Sequence, residues 1–240
     1  MSEINTQHVD VLAIGAHPDD VELSCAGTLL RLKDLGYKVG MVDMTRGERG
    51  SRGSAEVRAV EAQDALKILG FEFREVLDLG DLQIQDTHER RVKVVECIRR
   101  HKPKLVLTHW WKDKHPDHIG TSALVKHAMF VAGAANFPAD YDPHNPKRLL
   151  YWPSSWMMEP NVFVDITDYY EHKIRSARAH KSQFFDPDST DPMTVLSQPA
   201  FFERLEVRAR YFGDMIGVKY AEVFYMREPV KVNDPMTLCL

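Results

Sequence analysis

Cysteine is scarce and scattered in this 240-residue chain. Cys25, Cys97 and Cys239 form no CxxC pair and are odd in number, which excludes a disulfide framework and a zinc knuckle. Each reads as a small hydrophobe. No apolar run approaches the roughly 20 residues needed to cross a bilayer. The longest weakly polar stretch, residues 123–135, is interrupted by Lys126 and His127. The opening MSEINTQHVD carries an acidic residue and no positive-then-apolar export pattern, so a cytoplasmic location and no membrane partner are expected. A basic block is missing too. Lys and Arg number 31 against 35 Asp and Glu, a net charge of -4, which excludes an electrostatic footprint for nucleic acid. The GxGxxG of a dinucleotide-binding turn is also absent; the chain reads GAHPDD at that place, which argues against a nucleotide-binding module.

What the chain has is a core and a rhythm. With 44% hydrophobic and 28% charged residues it can bury a sizeable interior, and one domain over residues 1–240 is expected. Residues 9–16 are almost continuously apolar, as in a buried parallel strand. Residues 21–35 carry Leu23, Ala26, Leu29, Leu30 and Leu32 near helical spacing, with Asp19 or Asp20 as N-cap and Gly36 as stop. Strands follow at 38–45, 71–77 and 105–108, separated by helices at 55–69 and 87–101. Beyond Phe137 prolines punctuate a looser region. Strand character resumes at 148–152, 162–164 and 221–226, with helices at 169–181 and 200–216. The alternation predicts a doubly wound, Rossmann-like α/β fold with a mostly parallel sheet and helices on both faces.

In such a sheet, ligands bind beyond the carboxyl ends of the strands, where strand order reverses. His17-Pro18-Asp19-Asp20 follows the first strand, and His115-Pro116-Asp117-His118 follows the strand at 105–108. In the order 3-2-1-4-5 these strands are neighbours, so the two His-Pro-Asp loops converge. Two histidines and one carboxylate then make a three-ligand site with an open position, suited to catalytic zinc; ferrous iron shares the triad. The remaining carboxylate, Asp19 or Asp20, is left as general base. Against this, either aspartate also suits an N-cap, and Glu22 suits the first turn of a helix with no catalytic part. A two-metal phosphoesterase would need more bridging carboxylates.

At AHPDDVE (16–22) and HPDH (115–118) the chain resembles the zinc-dependent N-acetylglucosaminyl deacetylases. The resemblance runs on through TRGERG, EVRAVEAQDA, DITDYYEHKIRSARAHKSQF and KYAEVF, and covers nearly the whole chain. Within the family, HKSQF and YAEVF resemble most the enzymes that deacetylate GlcNAc-malate for bacillithiol synthesis.

The resemblance implies that His17, Asp20 and His118 hold one zinc per chain, with Fe2+ as the alternative, and that Asp19 is the base. It places His115 near the substrate carbonyl as a stabilising imidazolium or acid, oriented by Asp117. It makes Arg58 a substrate contact; the bland alternative is an exposed helical residue paired with Glu56 or Glu61. The implied reaction frees acetate and an amine from a small amino-sugar substrate, GlcNAc-malate first, a chito-oligosaccharide or GlcNAc-inositol as alternatives. Relatives often assemble as homo-oligomers, so the resemblance leaves a homo-oligomer open for this chain, with no interface readable in the sequence. Arg46, Arg49 and Arg52 alternate with Gly47, Gly50 and Gly53 in a loop that reads as a mobile lid offering guanidinium groups to carboxylates, or as plain solvated loop. Tyr220 is a further candidate for substrate contact. His180 reads as structural, Glu222 has no assigned role, and His109, Trp110 and Trp111 either wall the sugar or pack in the core.

Overall fold

The computed structural model describes residues 7–154 and 158–238. Cys239 and the first six residues of the opening segment lie outside the described residues. Seven strands form a sheet in the order β3-β2-β1-β4-β5-β7-β6. They are β1 (Val11–Gly15), β2 (Val39–Asp43), β3 (Phe73–Val76), β4 (Leu105–His109), β5 (Arg148–Trp152), β6 (Val162–Asp165) and β7 (Ala221–Met226). The first five in the order pair in parallel, as expected from the alternation, with Val11 opposite both Val39 and Leu105. β7 runs antiparallel to both β5 and β6.

The central strands are apolar throughout because both of their faces are covered. Leu12, Ile14, Val42 and Val106 point to one side, against α4 (His88–His101) and α5 (Pro116–Ala132). Val11, Ala13, Met41 and Leu107 point to the other, against α1 (Asp20–Ser24), α2 (Ala26–Asp34) and Leu69 of α3 (Ala55–Leu69). Two further helices, α6 (Tyr170–Ala177) and α7 (Phe201–Asp214), close the antiparallel end. Among the described residues no helix is long and apolar enough to cross a membrane.

Two elements differ from the sequence reading. The helix expected over 21–35 is broken at Cys25, whose φ of -141° is not helical. A tertiary contact decides this: the Glu222 carboxylate accepts the backbone N–H groups of Gly27 (3.0 Å) and Thr28 (2.7 Å), so the chain starts a second helix there. Helix α5 has no counterpart in the expected elements. Its buried positions include Asp117, Thr121, Ser122 and Ala128, so no clean apolar stripe marks it. Pro116 at its first position and a histidine just before it are what start it.

Strand order reverses between β1 and β4, and the loops after β1, β2, β3 and β4 meet at that edge.

Candidate active site

The loop after β1 is a tight turn in which Asp20 N–H donates to the His17 carbonyl at 3.3 Å. Pro18 presets the first corner, and Asp19 occupies the second with φ 115°, a conformation that glycine normally fills. The strained residue is retained at the cost of backbone energy, as happens where a side chain is needed in one place. Asp19 stands at the N-cap position of α1, yet its side chain makes no capping bond. The capping explanation therefore fails for it. The Asp20 carboxylate folds back instead to accept the His17 backbone N–H at 2.7 Å.

Around Asp20 the two loops converge as expected. His17 Nδ1 lies 3.4 Å from Asp20 Oδ2, and His118 Nε2 lies 3.3 Å from Asp20 Oδ1. Each imidazole turns its other nitrogen to carboxylates: His17 Nε2 to Asp81 and Asp117, both at 3.3 Å, and His118 Nδ1 to Asp113 at 3.2 Å. A carboxylate behind each imidazole is the support that metal-ligating histidines carry. These donors suit a divalent cation: His17, His115 and His118 gather their ligand atoms in one set, and Asp20, His109 and His118 in an overlapping one.

Burial opposes protonation of both rings, but the carboxylates outweigh it. Asp117, Asp20 and Asp81 raise His17 well above its usual value, and Asp20 and Asp113 push His118 up to about 9. Asp20, despite burial, is held well below the carboxylate range by His118 and His109. Without metal both rings are thus held toward their protonated form. Metal loading at pH 7 is expected to release protons, with affinity rising as pH climbs; a pH-stat titration checks this. In the metal-free protein the His118 shift stabilises the fold below about pH 6.5 and that contribution is lost as pH rises through about 9.

Asp19 sits beside this set, buried, with Arg58 Nη2 3.4 Å from its Oδ2. Burial raises its pKa to about 6, against the opposing pull of Arg58. The reading of Arg58 as an exposed residue paired with Glu56 or Glu61 is corrected: it is only 4% exposed and donates to Pro18 O (2.7 Å) and Gly47 O (3.2 Å) as well as Asp19. Its guanidinium is aimed at Asp19 and the loops that hold it. Gly47, with φ +65°, is required beside it, since a Cβ there would fall 1.9 Å from Arg58 Nη1.

His115 lies over the set, its ring 4.7 Å from that of His17 and 4.8 Å from that of His118. Its Nδ1 accepts the Asp117 backbone N–H, so the neutral ring carries its proton on Nε2. Burial and the neighbouring His17 and His118 lower its pKa, so the expectation of an imidazolium is corrected to a neutral donor. The expected role of Asp117 changes for the same reason of contact. Its carboxylate accepts Leu82 N–H (2.6 Å) and Ile84 N–H (3.1 Å) and faces His17; only its backbone touches His115.

The arginine loop divides. Arg46 and Arg49 are exposed, Arg46 pairing with Asp78 at 3.1 Å and Arg49 giving its backbone N–H to Asp81 at 2.8 Å, beside His17. Arg52 is buried and donates to Ser182 O, Phe184 O and Ser189 Oγ, so this end of the loop is anchored and not a free lid. Tyr220 is corrected as a substrate candidate: its ring stacks on Tyr170 and its hydroxyl donates to Glu206, contacts outside the histidine cluster. Glu22 neither caps nor catalyses; it is fully buried between Arg74 and His180. Trp110 belongs to the core, and Trp111 packs edge-on against Tyr151.

Three supports escaped the sequence reading. Asp113 stands in the loop that carries HPDH, and Asp81 in the loop after β3; position beyond strand ends was their only signal. Of the two readings of His109, a wall for the sugar or core packing, the second holds. It is fully buried behind Asp20: Trp152 Nε1–H donates to its Nδ1 at 3.1 Å, and its Nε2 lies 3.1 Å from both Asp20 Oδ2 and the Ala16 backbone nitrogen.

Comparison with known proteins bears on this geometry. Residues 12–129 match the family model described as PIG-L, GlcNAc-PI de-N-acetylase. The chain is 34% identical to a diacetylchitobiose deacetylase of Thermococcus kodakarensis, over 88% of this chain and 80% of that protein. It is 27% identical to a probable N-acetyl-alpha-D-glucosaminyl L-malate deacetylase 2 of Bacillus anthracis (75% and 83%). A 4-oxalmesaconate hydratase of Pseudomonas putida is 25% identical (75% and 76%). The crystal structure of the conserved protein TT1542 from Thermus thermophilus superposes with a TM-score of 0.85 at 35% identity, covering 93% of this chain and 97% of that one.

Proposed function

Because the chain belongs to the PIG-L family of GlcNAc-PI de-N-acetylases, and is accordingly a metal-dependent deacetylase of GlcNAc-type substrates, we propose that it hydrolyses the acetamide of GlcNAc-malate with zinc as its metal. The observation that carries the chemistry is the meeting of His17, Asp20 and His118 beside a buried aspartate that does not cap its helix.

A divalent cation in this donor set supplies Lewis-acid polarisation of the acetyl carbonyl and acidifies attacking water. Asp19, poised at a pKa of about 6, takes a proton from that water and returns it to the departing sugar amine. Arg58 keeps the carboxylate aimed. His115, neutral with Nε2–H, donates toward the charge that develops on the acetyl oxygen. Water and the amide become acetate and the free amine.

For the acceptor, the malate reading is supported by the Bacillus anthracis relative and by exposed Arg46 and Arg49 at the edge of the histidine cluster. A chito-oligosaccharide is the competing acceptor, favoured by the 34% identity to a diacetylchitobiose deacetylase. Amine release from GlcNAc-malate, free GlcNAc, chito-oligosaccharides and GlcNAc-inositol decides between them. A charge-assisted arginine contact contributes about 1.5–3 kcal/mol, so GlcNAc-malate should exceed GlcNAc in kcat/KM by about tenfold or more, with the advantage shrinking as salt rises. Equal values would remove malate. Silence on all four with metal bound would remove the deacetylase chemistry and bring the hydratase relative forward.

Arg58→Ala is expected to keep its metal and to lose kcat by about tenfold or more, because the charged partner of the base is gone. A rise in KM with kcat unchanged would place Arg58 on the substrate instead.

A further inference from the structure

Beside the catalytic centre, at the antiparallel end of the sheet, lies a cavity bounded by the end of α1, α6, α7, β7 and Pro153. Its free volume of 20 Å³ admits one or two water-sized groups and no sugar ring. Two of its lining residues, Ser24 and Pro153, stand close in the chain to residues of the histidine cluster. Ser24 stands one helical turn beyond Asp20, and Pro153 precedes Ser154, whose hydroxyl lies 3.3 Å from His118 Nδ1.

Three hydrogen-bond donors in this wall are unspent. Among the described residues Arg208 of α7 makes no hydrogen bond and no ion pair. Glu222, whose charge acts on Arg208, is bonded elsewhere: Lys173 Nζ lies 2.5 Å away, and the carboxylate also accepts Gly27 N–H and Thr28 N–H. Tyr170 is 4% exposed and its hydroxyl makes no hydrogen bond among the described residues, and the same holds for the hydroxyl of Ser24. Arg208 and Lys173 against Glu222 leave one positive charge over. Burial pushes the Arg208 pKa down, and the attraction of Glu222 offsets this only in part. Arg208 is half-buried, and a partly desolvated cation with no bonded carboxylate favours an anion beside it.

We propose that this cavity is an anion subsite of the catalytic centre, in which Arg208, with the hydroxyls of Tyr170 and Ser24, receives a carboxylate of the substrate's aglycone. This deepens the reading of the preceding subsection and rests on it. A guanidinium matches a carboxylate with two parallel N–H bonds, and the small volume selects a carboxylate head over anything bulkier. Lys173, tied to Glu222, holds the wall and does not compete. A malate group has two carboxylates, so one can enter here while the other meets Arg46 or Arg49.

The test compares metal-loaded wild type, Arg208→Gln and Arg208→Lys. The ratio of kcat/KM for GlcNAc-malate to that for methyl N-acetylglucosaminide should fall about tenfold or more in Arg208→Gln, through KM, and recover in part in Arg208→Lys. Calorimetry with free L-malate should show binding to wild type that weakens at least tenfold in Arg208→Gln, while inorganic phosphate binds both alike. An unchanged ratio and unchanged malate binding would overturn the proposal. So would an equal loss on both substrates accompanied by a lower melting temperature, which marks a structural arginine. Wild type that deacetylates neither sugar but binds malate through Arg208 would sink the substrate reading and leave the subsite standing.

Discussion

Asp19→Asn is expected to retain its metal and to lose turnover by about 100- to 10,000-fold, the usual worth of a general base. The substitution is nearly isosteric, and asparagine accepts a positive φ better than most residues, so the turn at φ 115° survives it. The metal set is untouched, because His17 and His118 are coordinated with Asp20 and backed by Asp81, Asp117 and Asp113. What is lost is the acceptor: an amide oxygen cannot take the proton that a carboxylate of pKa about 6 takes. Metal content by elemental analysis, with single-turnover amine release, measures both halves. Full activity in the variant would make the residue structural, and loss of metal would move it into the ligand set.

Asp20→Ala should do the opposite, stripping the metal and with it all metal-dependent turnover. Two histidines alone are too few for a tight, defined site. The carboxylate also accepts the His17 backbone N–H and faces His109 Nε2, so its removal leaves the His17 N–H unpaired and loosens the turn that aims His17. A destabilised fold is expected beside the metal loss, visible as a lower melting temperature in the metal-free state. Retention of a full metal equivalent would overturn the ligand assignment. Neighbouring aspartates with opposite phenotypes would be hard to explain by any role other than base and ligand.

Much of this site was legible because it is local or repeated. His17, Pro18, Asp19 and Asp20 lie within one turn, and the second His-Pro-Asp follows another strand of the same sheet, so an expected strand order was enough to bring them together. The supports were not legible for the opposite reason. Asp81, Asp113 and His109 are ordinary loop or strand-end residues, and their meaning lies in which nitrogen they face across the fold. Arg58 reads as solvent-facing in a helix of mixed charge; only the approach of the Gly47 loop and the β1 turn buries it. The partners of His115 and Asp117 were misassigned because adjacency in sequence put their side chains together, whereas helix geometry sends the Asp117 carboxylate to His17 and the Leu82 loop.

By itself the sequence determined the alternation of strands and helices and the residue types that follow the strand ends, because periodicity and turn chemistry act over a few residues. Tertiary structure alone decided which aspartate is free of capping, why a helix breaks where Glu222 reaches α2, which nitrogen of His17 and of His118 faces Asp20, and that among the described residues Arg208 makes no hydrogen bond. Those outcomes depend on burial and on contacts between segments far apart in the chain, where charge is compensated or left over according to what the whole fold brings within reach.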